Sequence, residues 1–129
     1  MTTHLSDSDW LIDYLRRQDA AVRLLRPLIE SNSLAISVIT YAEVYDGVTG
    51  GRNREHDLTE LRVLLTGLQI IGLDRETAEV FAQLRVSLRA RGELLADHDT
   101  WIAATAIQHD LTLLTRDHHF DRLGSLKRS

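Results

Sequence analysis

Apolar residues recur along this chain in two rhythms, short β-prone runs and longer helix-spaced stretches, and they alternate from one end to the other. A short start, Thr3 to Ser6, reads as a strand. It turns directly into a helix over Asp9 to Arg17, where Trp10, Leu11, Tyr14 and Leu15 share one face. A second helix is expected over Ala20 to Glu30, bent or shortened at Pro27, the only proline. Leu34 to Val38 (LAISV) predicts a second strand. The helix after it has Tyr41, Val44, Tyr45 and Val48 at helical spacing, with Thr40 as its N-cap.

Thr49 to Asn53 is a turn or loop by composition, followed by a helix from about Asp57 to Leu65 and a third strand within Leu68 to Leu73. The longest helical pattern, Arg75 to Arg91, places Ala78, Phe81, Ala82, Arg85 and Leu88 on related turns, and Gly92 ends it. DTWIAATAIQHD then predicts a helix, Leu111 to Thr115 a strand, and the remainder a short helical turn with a last strand around Ser125 to Lys127. Strands separated by helices predict an α/β fold with a central parallel sheet of four or five strands and helices on both faces. At 129 residues, without repeats or a linker, the expectation is one domain spanning residues 1–129.

Composition narrows the class. A hydrophobic fraction of 43% supports a globular chain, and no apolar run approaches the roughly 20 residues of a membrane span. The start, MTTHLSDSDW, lacks the basic end and apolar centre of a signal peptide, so a cytoplasmic protein is expected. Absence of cysteine excludes disulfides and thiolate metal sites. A net charge of -4 does not advertise a nucleic-acid binder, so an acidic partner would need a local basic surface. Fourteen arginines against one lysine, Lys127, favour bidentate phosphate contacts, although genomic base composition gives the same bias.

Four acids stand beside apolar stretches. Asp7 follows the first strand and Asp117 the fourth; Glu43 lies in the first turns after the second strand, and Asp99 begins the helix before the fourth. Ligands of open parallel sheets collect beyond the carboxyl ends of the strands, where the strand order reverses. Taken singly, each acid reads as a turn, a cap or a solvated side chain. Together they predict a pocket in which carboxylates repel one another unless a cation sits between them.

Those same residues resemble the PIN-domain ribonucleases, especially the VapC toxins of bacterial toxin–antitoxin pairs. DSDWLIDYL (Asp7 to Leu15) is similar to their opening motif, VITYAEVYDG (Val38 to Gly47) to the second, DTWIAATA (Asp99 to Ala106) to the third and LLTRDHHFDRL to the last, in the family's order. Ser6 departs from the apolar residue usual before the first acid. The resemblance implies an endoribonuclease in which Asp7 and Asp99 hold Mg²⁺ or Mn²⁺, directly or through water. Glu43 and Asp117 would complete the catalytic pocket, with Asp9 and Thr115 in support; Asp97, a rival of Asp99, is better placed as an N-cap. It also implies an RNA substrate, a VapB-like antitoxin partner and a homodimer. Arg85, Arg89, Arg91, Arg116 and Arg122 are candidates to meet the RNA, and the helix faces around Trp10, Tyr14, Leu24, Leu25 and Tyr45 to meet the antitoxin.

Three other readings compete. The six histidines, several beside aspartate, suit an HD-type phosphohydrolase, which is all-helical. A receiver-like domain also gathers aspartates with Mg²⁺ but requires a lysine after its last strand. A non-catalytic binding module would use the acids only as caps.

Overall fold

Four short strands, β1 (His4–Ser6), β2 (Leu34–Ser37), β3 (Gln69–Ile71) and β4 (Thr112–Leu114), pair in the order β3-β2-β1-β4 with every pair parallel. They belong to a computed structural model that describes residues 1–129. Parallel neighbours cannot be joined by a tight turn, so each connection is helical. Helices α1 (Ser8–Leu15) and α2 (Asp19–Glu30) link β1 to β2, α3 (Val38–Thr49) and α4 (Arg54–Leu65) link β2 to β3, and α5 (Arg75–Ala90) and α6 (Asp97–Gln108) link β3 to β4. A 3₁₀ turn, His118–Arg122, follows β4.

Side chains alternate across a strand, and β2 shows how this builds two cores. Leu34 and Ile36 pack with Leu11 of α1, Leu25 of α2, Val44 of α3 and Leu61 and Leu64 of α4. Ala35 belongs instead to the cluster holding Leu84 and Leu88 of α5 and Ile102, Ala103 and Ala106 of α6. Both faces are therefore covered, as the continuous apolar run LAISV requires. Phe120 of the 3₁₀ turn is buried in the α5/α6 cluster. Burying such a ring is worth on the order of 2–3 kcal/mol and anchors the segment carrying Asp117.

Local chemistry departs from the sequence expectations in four places. Helix α2 runs on to Glu30 with Pro27 inside it, because Pro27 is exposed and the carbonyl it leaves unpaired can meet water. Ser37, not Thr40, caps α3, its hydroxyl accepting from the Ile39 and Thr40 amides at 2.9 and 3.4 Å; strand and helix adjoin with no spacer, so Thr40 is buried inside the helix. Ala96 occupies the N-cap of α6 without a side-chain bond, and Asp97, one residue on, pairs with Arg85. The tail makes a single parallel bridge, Leu113 to Arg128, so the sheet has four strands and no fifth. Gly92 behaves as expected: at φ +68 it ends α5 while the Glu93 amide returns to the Leu88 carbonyl at 2.9 Å. No helix is long and apolar enough to cross a membrane.

Candidate active site

The chain builds outward from β1 to β3 and then returns to place β4 on the other side of β1. The reversal lies between β1 and β4, and Asp7 and Asp117 leave the carboxyl ends of those two strands. Asp7 is the N-cap of α1. Its amide donates to the Leu114 carbonyl at 2.9 Å, which carries the β1–β4 pairing one residue past the strand. One carboxylate oxygen accepts from the Ser8 amide at 2.9 Å and the other from the Thr115 hydroxyl at 2.7 Å. The same hydroxyl accepts from the Asp117 amide at 3.1 Å, so Thr115 ties the two acids together. Asp117 caps the 3₁₀ turn, accepting from the His119 amide at 2.9 Å.

Asp99 lies in the first turn of α6 and Glu43 in the second turn of α3. Burial raises the carboxyl pKa of Asp7, Glu43 and Asp99 above the ordinary carboxylate range, Asp7 despite the opposing bonds from Thr115 and Ser8. Mutual charge adds to this: Asp117 acts on Asp7 and Asp99, and Asp7 acts on Glu43 and Asp99. The four acids thus share one electrostatic neighbourhood. Asp9, exposed in the first turn of α1, raises Asp7 and Glu43 from its rim. No three acid or imidazole groups come close enough to ligate one ion directly.

Two of the six histidines stand among these acids. His98 Nε2 is 3.3 Å from Asp99 Oδ1, and His119 Nδ1 is 3.0 Å from Asp117 Oδ1. His98 pulls Glu43 and Asp99 back toward ionisation, and His119 does so for Asp99. His98 stands directly between Asp97 and Asp99, and His119 lies two residues past Asp117, which was the available signal. The donor set is oxygen-rich and free of thiolate, which fits a hard cation such as Mg²⁺ or Mn²⁺. Crowded carboxylates whose ionisation is disfavoured are what a divalent ion relieves. Mg²⁺ takes one or two carboxylates and keeps several waters, so a site without three direct protein ligands remains compatible with it.

Other candidates take structural work. Arg85 is bound to Asp97 at 2.6 Å, Arg91 donates to the Arg122 carbonyl at 2.6 Å, and Arg122 donates to the Leu94 carbonyl at 3.0 Å. Only Arg116 adjoins the acids, stacked on Trp10. Lys127 pairs with Asp110 at 2.8 Å, which removes the phosphoryl-contacting lysine of a receiver-like site, and the parallel sheet excludes the all-helical alternative. Of the apolar residues considered for a partner, Leu25 is fully buried, and Trp10, Tyr14 and Leu24 pack on the core. A cavity of about 340 Å³ opens instead among α1, α3 and α4, with Ile12, Leu15, Val44 and Val48 inside and Arg16, His56 and Glu60 among its polar lining.

The PIN domain family profile matches residues 5–126. The chain is 30% identical over 112 residues to ribonuclease VapC2 of Rickettsia felis, covering 86% of this chain and 84% of that protein. It is 35% identical over 121 residues to toxin FitB of Neisseria gonorrhoeae, covering 88% and 86%. Among solved structures, VapBC2 of Rickettsia felis bound to a promoter DNA fragment superposes with a TM-score of 0.90 at 26% identity, over 99% of this chain and 98% of that one. FitAcB of Neisseria gonorrhoeae superposes with a TM-score of 0.84 at 30% identity, over 98% and 96%.

Proposed function

Because this chain belongs to the PIN-domain family, we propose that it is a metal-dependent endoribonuclease toxin of the VapC type, acting as one unit over residues 1–129 and neutralised by a small VapB-like antitoxin. What supports the reading is that Asp7, at the sheet's switch point, shares one electrostatic neighbourhood with Glu43 and Asp99, each with a carboxyl pKa raised by burial and by its acidic neighbours. Relatives named as ribonucleases and toxins supply the reaction class.

In hydrolysis a water oxygen adds to phosphorus, one P–O bond breaks, and a proton passes to the departing oxygen. A Mg²⁺ or Mn²⁺ ion, when bound, supplies acidification of the water and stabilisation of charge on the phosphoryl oxygens. Asp7 and Asp99 are the assigned holders, and Glu43 and Asp117 complete the pocket by holding a second ion or orienting water. Thr115 fixes the Asp7 carboxylate and, through the Asp117 amide, the start of the 3₁₀ turn. The cavity among α1, α3 and α4, apolar inside with charges in its lining, suits an amphipathic segment of an antitoxin. A homodimer belongs to the same reading.

The test is cleavage of total RNA by the purified chain with Mg²⁺ or Mn²⁺, against EDTA and against Asp99→Asn. Cleavage confined to wild type with metal supports the assignment. Equal cleavage by a folded Asp99→Asn protein refutes the site, and no cleavage under any condition favours a binding module.

A further inference from the structure

Between the end of α1, the start of α2 and the loop after β4 lies an open concavity of about 660 Å³ to which the reaction above assigns no role. Trp10, Arg17, Arg23 and Arg116 line it, with Asp13 and Asp19 as counter-charges. None of the four acids lines it, but Arg116 is the chain neighbour of Thr115, which holds Asp7, and of Asp117. The Arg116 guanidinium carbon is 3.8 Å from the centre of the Trp10 ring, and Nη2 donates to Asp13 Oδ2 at 2.6 Å. Stacking and an ion pair therefore fix this cation in place. Its side chain is still 46% exposed, which leaves its other N–H groups free to donate outward.

Arg17 and Arg23 are both exposed, and neither has an ion-pair partner in the protein. The backbone at Arg17 has φ 58, the left-handed region, which costs a residue with a Cβ roughly 1–2 kcal/mol. That conformation sets the angle at which α1 gives way to α2, and so brings Arg17 and Arg23 to the same concavity as Arg116. Three guanidinia against two carboxylates make a locally cationic surface on an otherwise acidic chain.

We propose that this concavity is a phosphate subsite that binds a backbone phosphate of single-stranded RNA to one side of the scissile bond. Arg116, braced on Trp10, is its fixed wall, and Arg17 and Arg23 close on the phosphate. The inference rests on the ribonuclease reading and deepens it. An RNA strand presented to clustered carboxylates is repelled at the point of reaction, so affinity has to come from cations alongside. The guanidinium fork matches phosphate oxygens in pairs. The place of its fixed cation, Arg116, between Thr115 and Asp117 in the chain favours RNA over an acidic protein segment as the occupant.

The test uses the full chain in EDTA and a fluorescein-labelled single-stranded RNA of mixed sequence, with anisotropy read across a salt series. Arg17→Gln/Arg23→Gln removes two charges without removing any ion pair of the fold. It is expected to bind about tenfold more weakly, the loss of one charge-assisted hydrogen bond or more. Its plot of log affinity against log salt should be shallower by about 0.7 for each phosphate that is no longer neutralised. Arg62→Gln/Arg75→Gln makes the same charge change on exposed turns of α4 and α5, outside the concavity; affinity should alter by about twofold or less, because salt screens charges beyond a Debye length. Unchanged affinity and slope for the Arg17/Arg23 variant, beside a wild type that binds and cleaves RNA, overturn the subsite and leave the ribonuclease reading intact. Equal losses from both double variants overturn it too, as does a variant that binds RNA normally but loses its protein inhibitor. A wild type that neither binds nor cleaves RNA removes the reading on which the subsite rests.

Discussion

Thr115→Val is the most informative single change, because it keeps the shape of the side chain and removes only the hydroxyl on which two acids depend. That hydroxyl donates to Asp7 Oδ2 at 2.7 Å and accepts from the Asp117 amide at 3.1 Å, in a residue 3% exposed. A hydrogen bond to a charged group contributes about 1.5–3 kcal/mol, and leaving a buried partner unpaired costs about 1–3 kcal/mol. Substitution should therefore destabilise the protein by about 3 kcal/mol, on the order of 10 °C in Tm for a chain of this size. The Asp7 carboxylate would keep the Ser8 amide as its one remaining donor, and its pKa, already raised by burial, should rise further. Weaker metal affinity follows, with activity down about 10–100-fold, as for other residues that orient a ligand from behind.

Thr115→Ser keeps the hydroxyl and loses a methyl group, about 1 kcal/mol, and should retain most activity. Denaturation and RNA cleavage measured on the same preparations of wild type, valine and serine proteins decide the matter. Valine and wild-type proteins alike in both measurements, or serine and valine proteins equally inactive, would refute the bridging role.

Two further outcomes follow from the carboxyl environments. In EDTA, Asp7→Asn or Asp99→Asn should raise Tm at neutral pH while abolishing cleavage, since folding pushes each carboxyl pKa above its ordinary 3.8 and the amide removes that cost. For the same reason metal-free wild type should be most stable below about pH 4 so far as these groups are concerned, and should lose that contribution as pH rises through the raised values; a pH series of Tm with the opposite slope for wild type minus variant would contradict this. Asp74 has the reverse sign. Its carboxylate caps α5 through the Thr77 amide at 3.0 Å and accepts from Gln108 at 2.9 Å, which lowers its pKa. Asp74→Ala should lower Tm at neutral pH, with the difference from wild type shrinking as pH falls below 3.8 through the lowered folded value; a difference that grows on acidification would refute the cap.

Periodicity made the architecture legible because it reports which face of an element is buried, and every one of these elements buries a face. LAISV and LTLLT predict β2 and β4 on that basis, and chain order alone places the acids next to them at the carboxyl edge. Cap identity was less legible. Ser37 and Thr40 are both good N-cap residues, and only the abrupt passage from β2 into α3 decides between them. Pairings between distant residues were not legible at all. Neither the Arg85–Asp97 bond nor the stacking of Arg116 on Trp10 has a local signature, since each depends on how two elements cross. Arg17 and Arg23 carry no local signal for the same reason: one lies beyond the end of α1, the other in α2, and only the turn between those helices brings them together.

Placement of the acids also explains how the fold tolerates them. Asp7 caps α1, Asp99 lies in the first turn of α6 and Asp117 caps the 3₁₀ turn, so three of the four stand where unpaired amides and the helix dipole favour negative charge. Two of them take that benefit as direct hydrogen bonds, from the Ser8 and His119 amides at 2.9 Å. Glu43, in the second turn of α3, is beyond such help, and the charge that most favours its ionisation is His98. Burial still outweighs these compensations at Asp7, Glu43 and Asp99, since each carboxyl pKa remains raised. The opposing stability comes from the apolar clusters beneath, with Ile102 following Asp99 and Phe120 following Asp117 into the core. Both of those acids are thus followed within three residues by a side chain that cannot leave the interior, and this holds the repelling carboxylates at the sheet edge.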